Sequence, residues 1–176
     1  MIHSRGLPSI STDWAAWRLF FCDERLVAPE NPDSTWGVYR SGLLQKTPLT
    51  EEQFLVVKTG LEPEAAAREY QEQLASHLAS RLDLLLLGAG PDGHTCSLFP
   101  GHPLLQEPSL EEGGRIVAHI TDSPKPPPQR VTLTLPAVNA ANCCVFAACG
   151  TGKADMMARL LAKEKEGLPA QLVMPK

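Results

Sequence analysis

Residues 82–95 read LDLLLLGAGPDGHT, a short apolar run followed by a glycine-rich loop. The almost unbroken leucines at 82–87 predict a strand that is buried on both faces. The glycines of segment 88–95 predict a tight turn at its carboxyl end, and Pro100 limits any helical turn that begins at His94. Ligands of open parallel sheets bind outside the carboxyl ends of the strands, so this loop is the first candidate site.

Similar apolar runs alternate with helical patterns along the rest of the chain. Strands are predicted at 17–22, 54–57, 82–87, 115–120, 130–135 and 143–149. Helices are predicted at 34–47, 63–80, 136–141 and 153–165. This alternation predicts an α/β fold with a largely parallel, Rossmann-like, doubly wound sheet that is flanked by helices.

Composition excludes several classes of protein. The 176 residues, of which 43% are apolar and 20% charged, suit one globular domain. The formal net charge is −4 without a basic run, which argues against a nucleic-acid partner. No apolar run approaches the roughly 18 residues that span a bilayer, so we expect no membrane partner. Instead we expect a monomer that binds a small molecule.

The cysteines and the first residues bear on location. Five cysteines occur without a C-x-x-C pair, a pattern that favours reduced thiols. Residues 1–10 contain no apolar stretch of the secretory type. Both observations predict a cytoplasmic protein.

The loop at 88–93 also fits the dinucleotide-binding pattern G-x-G-x-x-G. Its context does not, because Pro91 and Pro100 leave no room for the long helix that should follow. A plain chain-reversing turn is the other reading, but it gives no reason for Asp92 and His94. Histidine titrates near neutral pH and can take a proton from water, with Asp92 placed to orient the imidazole. The alternative is that His94 only caps its own turn.

Charged residues elsewhere suit an anionic ligand. Asp23 and Glu24 offer acceptors for sugar hydroxyls, and Arg25 offers a guanidinium for a phosphate or carboxylate. Lys125 and Arg130 flank a stiff triple proline that could hold two cations apart. A solvated charged loop and a simple proline-rich connection are the respective alternatives. The sequence contains no histidine or cysteine spacing typical of a metal site.

Three separated motifs together resemble the 6-phosphogluconolactonase family of the glucosamine/galactosamine-6-phosphate isomerase superfamily. They are FFCDERLV at 20–27, GPDGHTCSLFP at 90–100 and PKPPPQRVT at 124–132. The resemblance implies hydrolysis of 6-phospho-glucono-1,5-lactone to 6-phosphogluconate in the oxidative pentose phosphate pathway. It implies neither a cofactor nor a metal.

Roles for individual residues also follow from the resemblance. His94 would be the general base that activates water, and Asp92 would support it. The predicted substrate- and phosphate-binding residues are Asp23, Arg25, Lys125, Arg130, Gly90 and Gly93. Among these, the cations would meet the phosphate and the charge that develops on the carbonyl oxygen.

The sequence also departs from the family pattern. A strand and a Gly-Gly-Ser type loop that grips phosphate would precede Trp17, and a strand and helix would follow Lys176. We therefore expect residues 1–16 to be an N-terminal extension outside the family and residues 17–176 to form a partial domain, shortened at both ends. Two alternatives stay open: an inactive shortened lactonase-like protein, and an enzyme similar to glucosamine-6-phosphate deaminase.

Overall fold

A computed structural model describes residues 12–77 and 81–175. The described strands are β1 (Asp23–Arg25), β2 (Leu85–Leu87), β3 (Val117–Ile120), β4 (Arg130–Leu133) and β5 (Cys144–Phe146). The described α-helices are α1 (Thr35–Gly42), α2 (Pro63–His77), α3 (Leu135–Asn139) and α4 (Ala154–Leu161). The predicted α/β class is thus confirmed.

The direction of the strands differs from the prediction. A three-stranded antiparallel sheet has the order β1-β4-β3, and among the described strands parallel pairing is confined to β2 and β5. A parallel connection needs a crossover of about a dozen residues or more, usually through a helix. The short proline-rich segment 121–129 between β3 and β4 cannot supply one, so β4 runs back along β3. The prediction of a largely parallel sheet is therefore wrong for the three-stranded sheet.

The two apolar runs nearest the N-terminus do not form full strands. Leu19 and Phe54 meet in a single parallel bridge, in which the N–H of Leu55 donates to the carbonyl of Leu19 at 2.9 Å. The chain becomes a paired strand only at the charged triplet of β1. The helical turn predicted after His94 is also absent from the described structure, because Cys96 adopts a left-handed φ of 50°.

Helix α2 confirms the predicted spacing of its buried face. Ala66, Tyr70 and Leu74 are all buried, one turn apart, and pack against β3 and β4. The hydroxyl of Tyr70 donates to the carbonyl of Phe21 at 3.0 Å and accepts from its N–H at 2.7 Å. This pair of bonds ties the helix to the chain just before β1. The end of the predicted helix, at 78–80, lies outside the described residues.

Residues 1–11 of the predicted N-terminal extension lie outside the described residues. Trp14–Ala16 forms a 3₁₀ turn whose first carbonyl accepts from Gln53 Nε2 at 2.6 Å. In the described part of the chain, every helix is too short or too polar to cross a membrane.

Candidate active site

The loop after β2 closes on itself and brings His94 back over Gly90. The N–H of Gly93 donates to the carbonyl of Gly90 at 2.9 Å, and the N–H of Gly90 donates to the carbonyl of His94 at 2.8 Å. Gly93 has a φ of 84°, a backbone conformation that is strained for residues with a side chain. A β-carbon on Gly90 would lie 2.0 Å from two atoms of the His94 ring. Both glycines are therefore required by the shape of the loop.

Asp92 and His94 form a hydrogen-bonded pair in this loop. His94 Nδ1 lies 2.5 Å from Asp92 Oδ1. A carboxylate can only accept, so Nδ1 carries the proton and Nε2 keeps its lone pair. Nε2 has no hydrogen-bond partner in the part of the chain that the structure describes, and the ring packs on Phe99 with centroids 4.8 Å apart. The imidazole is held in place while one nitrogen stays free to take a proton.

Lys125, from the segment between β3 and β4, contacts this pair. Its Nζ donates to Asp92 Oδ1 at 3.0 Å and lies 3.2 Å from His94 Nδ1. The short turn at 123–128 supports it, since Ser123 Oγ accepts from the N–H of Lys125 at 3.2 Å. A positive charge therefore adjoins the hydrogen bond between Asp92 and His94.

The surroundings set the charge of both partners. Burial is the largest influence on His94 and lowers its pKa below the ordinary 6.5. Asp92 raises the pKa of His94 through its hydrogen bond and charge, and Lys125 lowers it again. Burial raises the pKa of Asp92, but hydrogen bonds from His94 and Lys125 outweigh it and bring that pKa to about 2. At neutral pH the pair is therefore a carboxylate and a neutral imidazole, as a general base requires.

A second cluster lies on strands β1 and β4. Asp23 pairs with Thr132 and Arg25 with Arg130, so these side chains share one face of the two strands. The Nη1 atom of Arg130 is 4.0 Å from Asp23 Oδ2. Burial, followed by the charge of Arg25, lowers the pKa of Arg130. Two guanidinium groups with one carboxylate make this face attractive to an anion that carries hydroxyl groups.

The two arginines are held differently. Arg130 is nearly buried, and its Nε donates to the carbonyl of Pro127 at 3.0 Å. Arg25 Nη1 donates to the carbonyl of Asp33 at 3.1 Å, while its Nε is buried without a partner among the described residues. A buried donor without a partner is costly, and an oxygen of a bound anion would satisfy it.

Glu24 does not belong to this face. It is fully buried, and its carboxylate accepts from the N–H groups of Thr35 at 2.8 Å and Trp36 at 2.7 Å. These are the first residues of α1, where a negative charge is stabilised by the unpaired amides and the helix dipole. The predicted pair of acceptors, Asp23 and Glu24, is thus reduced to Asp23.

Phe99 joins the two clusters. One region of its ring packs on His94, and the guanidinium carbon of Arg130 lies 5.7 Å from the ring centroid. The structure therefore brings together all the predicted polar site residues: Asp92, His94 and Lys125 on one side, and Asp23, Arg25 and Arg130 on the other. Sequence reasoning missed Phe99, Ser97 and Thr132. Their only signal was that they lie within the motifs that carry the family resemblance.

Comparisons with known proteins show what the chain is similar to. A profile described as glucosamine-6-phosphate isomerases/6-phosphogluconolactonase matches residues 2–176. The chain is 50% identical over 173 residues to the 6-phosphogluconolactonase of Rattus norvegicus, covering 96% of this chain and 65% of the relative. The Homo sapiens 6-phosphogluconolactonase gives the same identity and coverage. The chain therefore spans somewhat less than two thirds of the length of these curated relatives.

Solved structures show the same similarity. The crystal structure of 6-phosphogluconolactonase from Thermotoga maritima matches with a TM-score of 0.80 and 28% identity, covering 94% of this chain and 72% of that one. The 6-phosphogluconolactonase from Trypanosoma cruzi matches with a TM-score of 0.73 and 29% identity, covering 89% and 64%.

Proposed function

The chain belongs to the family of glucosamine-6-phosphate isomerases and 6-phosphogluconolactonases, and on that premise we propose that it hydrolyses 6-phospho-glucono-1,5-lactone to 6-phosphogluconate. The observation that carries the proposal is the pair of Asp92 and His94, in which Nε2 of a neutral imidazole is free beside a cationic face. The relatives that are 50% identical are named 6-phosphogluconolactonase, which favours the lactone over an amino sugar.

The reaction assigns each group of the pair a step. His94 Nε2 takes a proton from a water molecule, whose oxygen forms a bond to the carbonyl carbon of the lactone. Asp92 stabilises the imidazolium that results, through the hydrogen bond at Nδ1. When the tetrahedral intermediate collapses, the bond between the carbonyl carbon and the ring oxygen breaks, and His94 returns the proton to that oxygen. The product is the open-chain acid, and no other reactant is consumed.

The three cations, Arg25, Lys125 and Arg130, lie at different places in the site, which indicates different roles. Lys125 Nζ lies 3.0 Å from Asp92 and 3.2 Å from His94, beside the reacting centre. Its charge suits the negative charge that grows on the carbonyl oxygen in the transition state. Arg25 and Arg130 face each other across β1 and β4, and Arg25 Nε is a buried donor without a partner among the described residues. We therefore assign the arginines to the phosphate and Lys125 to the carbonyl.

Asp23 and the two loop glycines complete the proposed site. Asp23 Oδ1 accepts no hydrogen bond from the described residues, so it can accept one from a sugar hydroxyl. Gly90 and Gly93 allow the tight turn in which His94 lies against Gly90 and contacts Asp92. A monomeric state, a cytoplasmic location and a partial domain over residues 17–176 remain predictions that accompany this proposal.

A direct assay of the purified chain tests the function. The lactone opens spontaneously in water, so the rate of acid release is measured with and without protein, and the difference is compared with the difference for His94→Ala. We expect catalysis by the native chain and its loss in the variant. Release of ammonia from glucosamine 6-phosphate without lactone hydrolysis would support the deaminase alternative. If the chain shows neither activity, it is an inactive relative.

A further inference from the structure

Ser97 connects the loop of the general base to the anion-binding strands. It lies three residues after His94 and is fully buried. Its hydroxyl donates to Asp23 Oδ2 at 2.8 Å, and its N–H donates to Thr132 Oγ1 at 3.1 Å. Asp23 and Thr132 are direct partners across β1 and β4. One buried residue of the loop is thus hydrogen-bonded to both strands, at two residues that face each other across the sheet.

The bond from Ser97 also determines how Asp23 presents its carboxylate. Oδ2 faces Ser97 Oγ at 2.8 Å and Arg130 Nη1 at 4.0 Å. The hydrogen bond restrains the rotation of the carboxylate, because turning Oδ2 away from Ser97 would break it. The other oxygen, Oδ1, accepts no hydrogen bond from the described residues. A hydrogen bond to a charged acceptor is strong enough to hold that orientation.

We propose that Ser97 is a positioning residue, whose hydroxyl fixes the Asp23 carboxylate so that Asp23 and Arg130 meet the substrate in one arrangement. The short backbone segment between His94 and Ser97 holds Asp23 and Arg130 at a fixed position relative to the base, His94. The inference rests on the proposed function only for its catalytic readout, because the arrangement of Asp23 and Arg130 also governs binding of the product. Ser97 itself contacts neither the Asp92 and His94 pair nor Lys125 through any hydrogen bond in the described residues.

The first test separates binding from chemistry. In Ser97→Ala we expect KM for the lactone and Kd for 6-phosphogluconate to rise by about 5- to 30-fold, as loss of one charge-assisted hydrogen bond predicts. The kcat should stay within about threefold of the native value, because the base is untouched. Ser41→Ala is the matched control, since its hydroxyl bonds only within α1, at 2.9 Å to the carbonyl of Gly37. A fall in kcat with unchanged KM and Kd would overturn the proposal.

The second test separates positioning from a general structural role. If Ser97 acts through Asp23, then Ser97→Ala should weaken 6-phosphogluconate binding in the native background and have little further effect in Asp23→Ala. Equal effects in both backgrounds would overturn the proposal, as would a loss of binding that only follows a lowered thermal midpoint. If the native chain binds 6-phosphogluconate without hydrolysing the lactone, the proposed function fails and the binding data alone decide on Ser97. If it does neither, both proposals fail.

Discussion

Asp92 Oδ1 lies 2.5 Å from His94 Nδ1, so the carboxylate and the imidazole are joined by a hydrogen bond, while His94 Nε2 has no hydrogen-bond partner in the part of the chain that the structure describes. The two residues are separated by a single glycine whose φ of 84° folds the loop back. In an extended segment the two residues would share a face but lie roughly 6.6 Å apart along the chain, so the turn at Gly93 is what brings their side chains into contact. The geometry of one turn therefore creates the pair, and the following predictions depend on it.

We expect His94→Ala to lower kcat for lactone hydrolysis by about 10²- to 10⁴-fold, the usual contribution of a positioned general base. His102→Ala is the control, because His102 Nε2 also faces a carboxylate, at 3.2 Å from Asp122 Oδ1, but lies outside the site. Its kcat should stay near the native value. Rates are measured with purified protein after subtraction of spontaneous opening. A loss below threefold in His94→Ala would remove this residue from the mechanism.

The pH dependence of the reaction should respond in opposite directions to two substitutions. The base must be neutral, and burial lowers the pKa of His94 below 6.5, so the acid limb of kcat/KM should lie below pH 6.5. The charge of Asp92 raises the pKa of His94, so Asp92→Asn should move this limb to lower pH. The charge of Lys125 lowers the pKa of His94, so Lys125→Met should move the limb to higher pH.

The measurement is a pH profile of kcat/KM for the native chain and both variants. Both variants should also lose kcat, because each removes a charge that stabilises the transition state. Shifts of the acid limb in the same direction, or a native limb above pH 6.5, would contradict the assignment of His94 as the titrating base.

The division of work among the cations predicts different losses. Arg25→Ala should weaken binding of 6-phosphogluconate by about 10- to 150-fold, from the loss of a charge-assisted contact of about 1.5–3 kcal/mol, and should affect gluconate much less. Lys125→Met should lower kcat more than it weakens 6-phosphogluconate binding. Arg40→Ala is the control, since its guanidinium pairs with Glu51 on the exposed surface. Calorimetry with both sugar acids decides, and equal weakening of the two ligands by Arg25→Ala would show that Arg25 does not contact phosphate.

The sequence allowed much of the fold to be predicted where burial follows local pattern. Periodicity located α2, and the leucine run located β2 within three residues of its observed start. The apolar pattern could not locate β1, because the central residue of that strand is a charged glutamate. Glu24 is buried through hydrogen bonds to α1, a compensation that hydropathy does not record. The pairing of β1 with β4 was equally hidden, since it depends on which strands meet, whereas the short connection at 121–129 already favours an antiparallel pair of β3 and β4.

The candidate site divides in the same way. Asp92 and His94 are two residues apart, so their pairing could be predicted from the loop itself. The contact of Lys125 with Asp92 spans 33 residues, and that of Ser97 with Asp23 spans 74. Contacts of this kind are produced by the packing of β1, β4 and the loop, and leave no local periodicity. The family resemblance indicated Lys125, whereas Ser97 became visible only with the structure.

The last prediction concerns the close approach of Gly90 to His94. A β-carbon at Gly90 would lie 2.0 Å from Cε1 and Nδ1 of the ring and 2.8 Å from Asp92 Oδ1, so Gly90→Ala must displace the imidazole or the carboxylate. Breaking their alignment should lower kcat by at least about tenfold, because general-base catalysis depends on that geometry. Gly88→Ala is the matched control, since a β-carbon there meets no atom within 4 Å. Lactone hydrolysis and thermal midpoints are measured for both variants. Native kcat in Gly90→Ala would mean that the contact between Asp92 and His94 is not needed for the reaction.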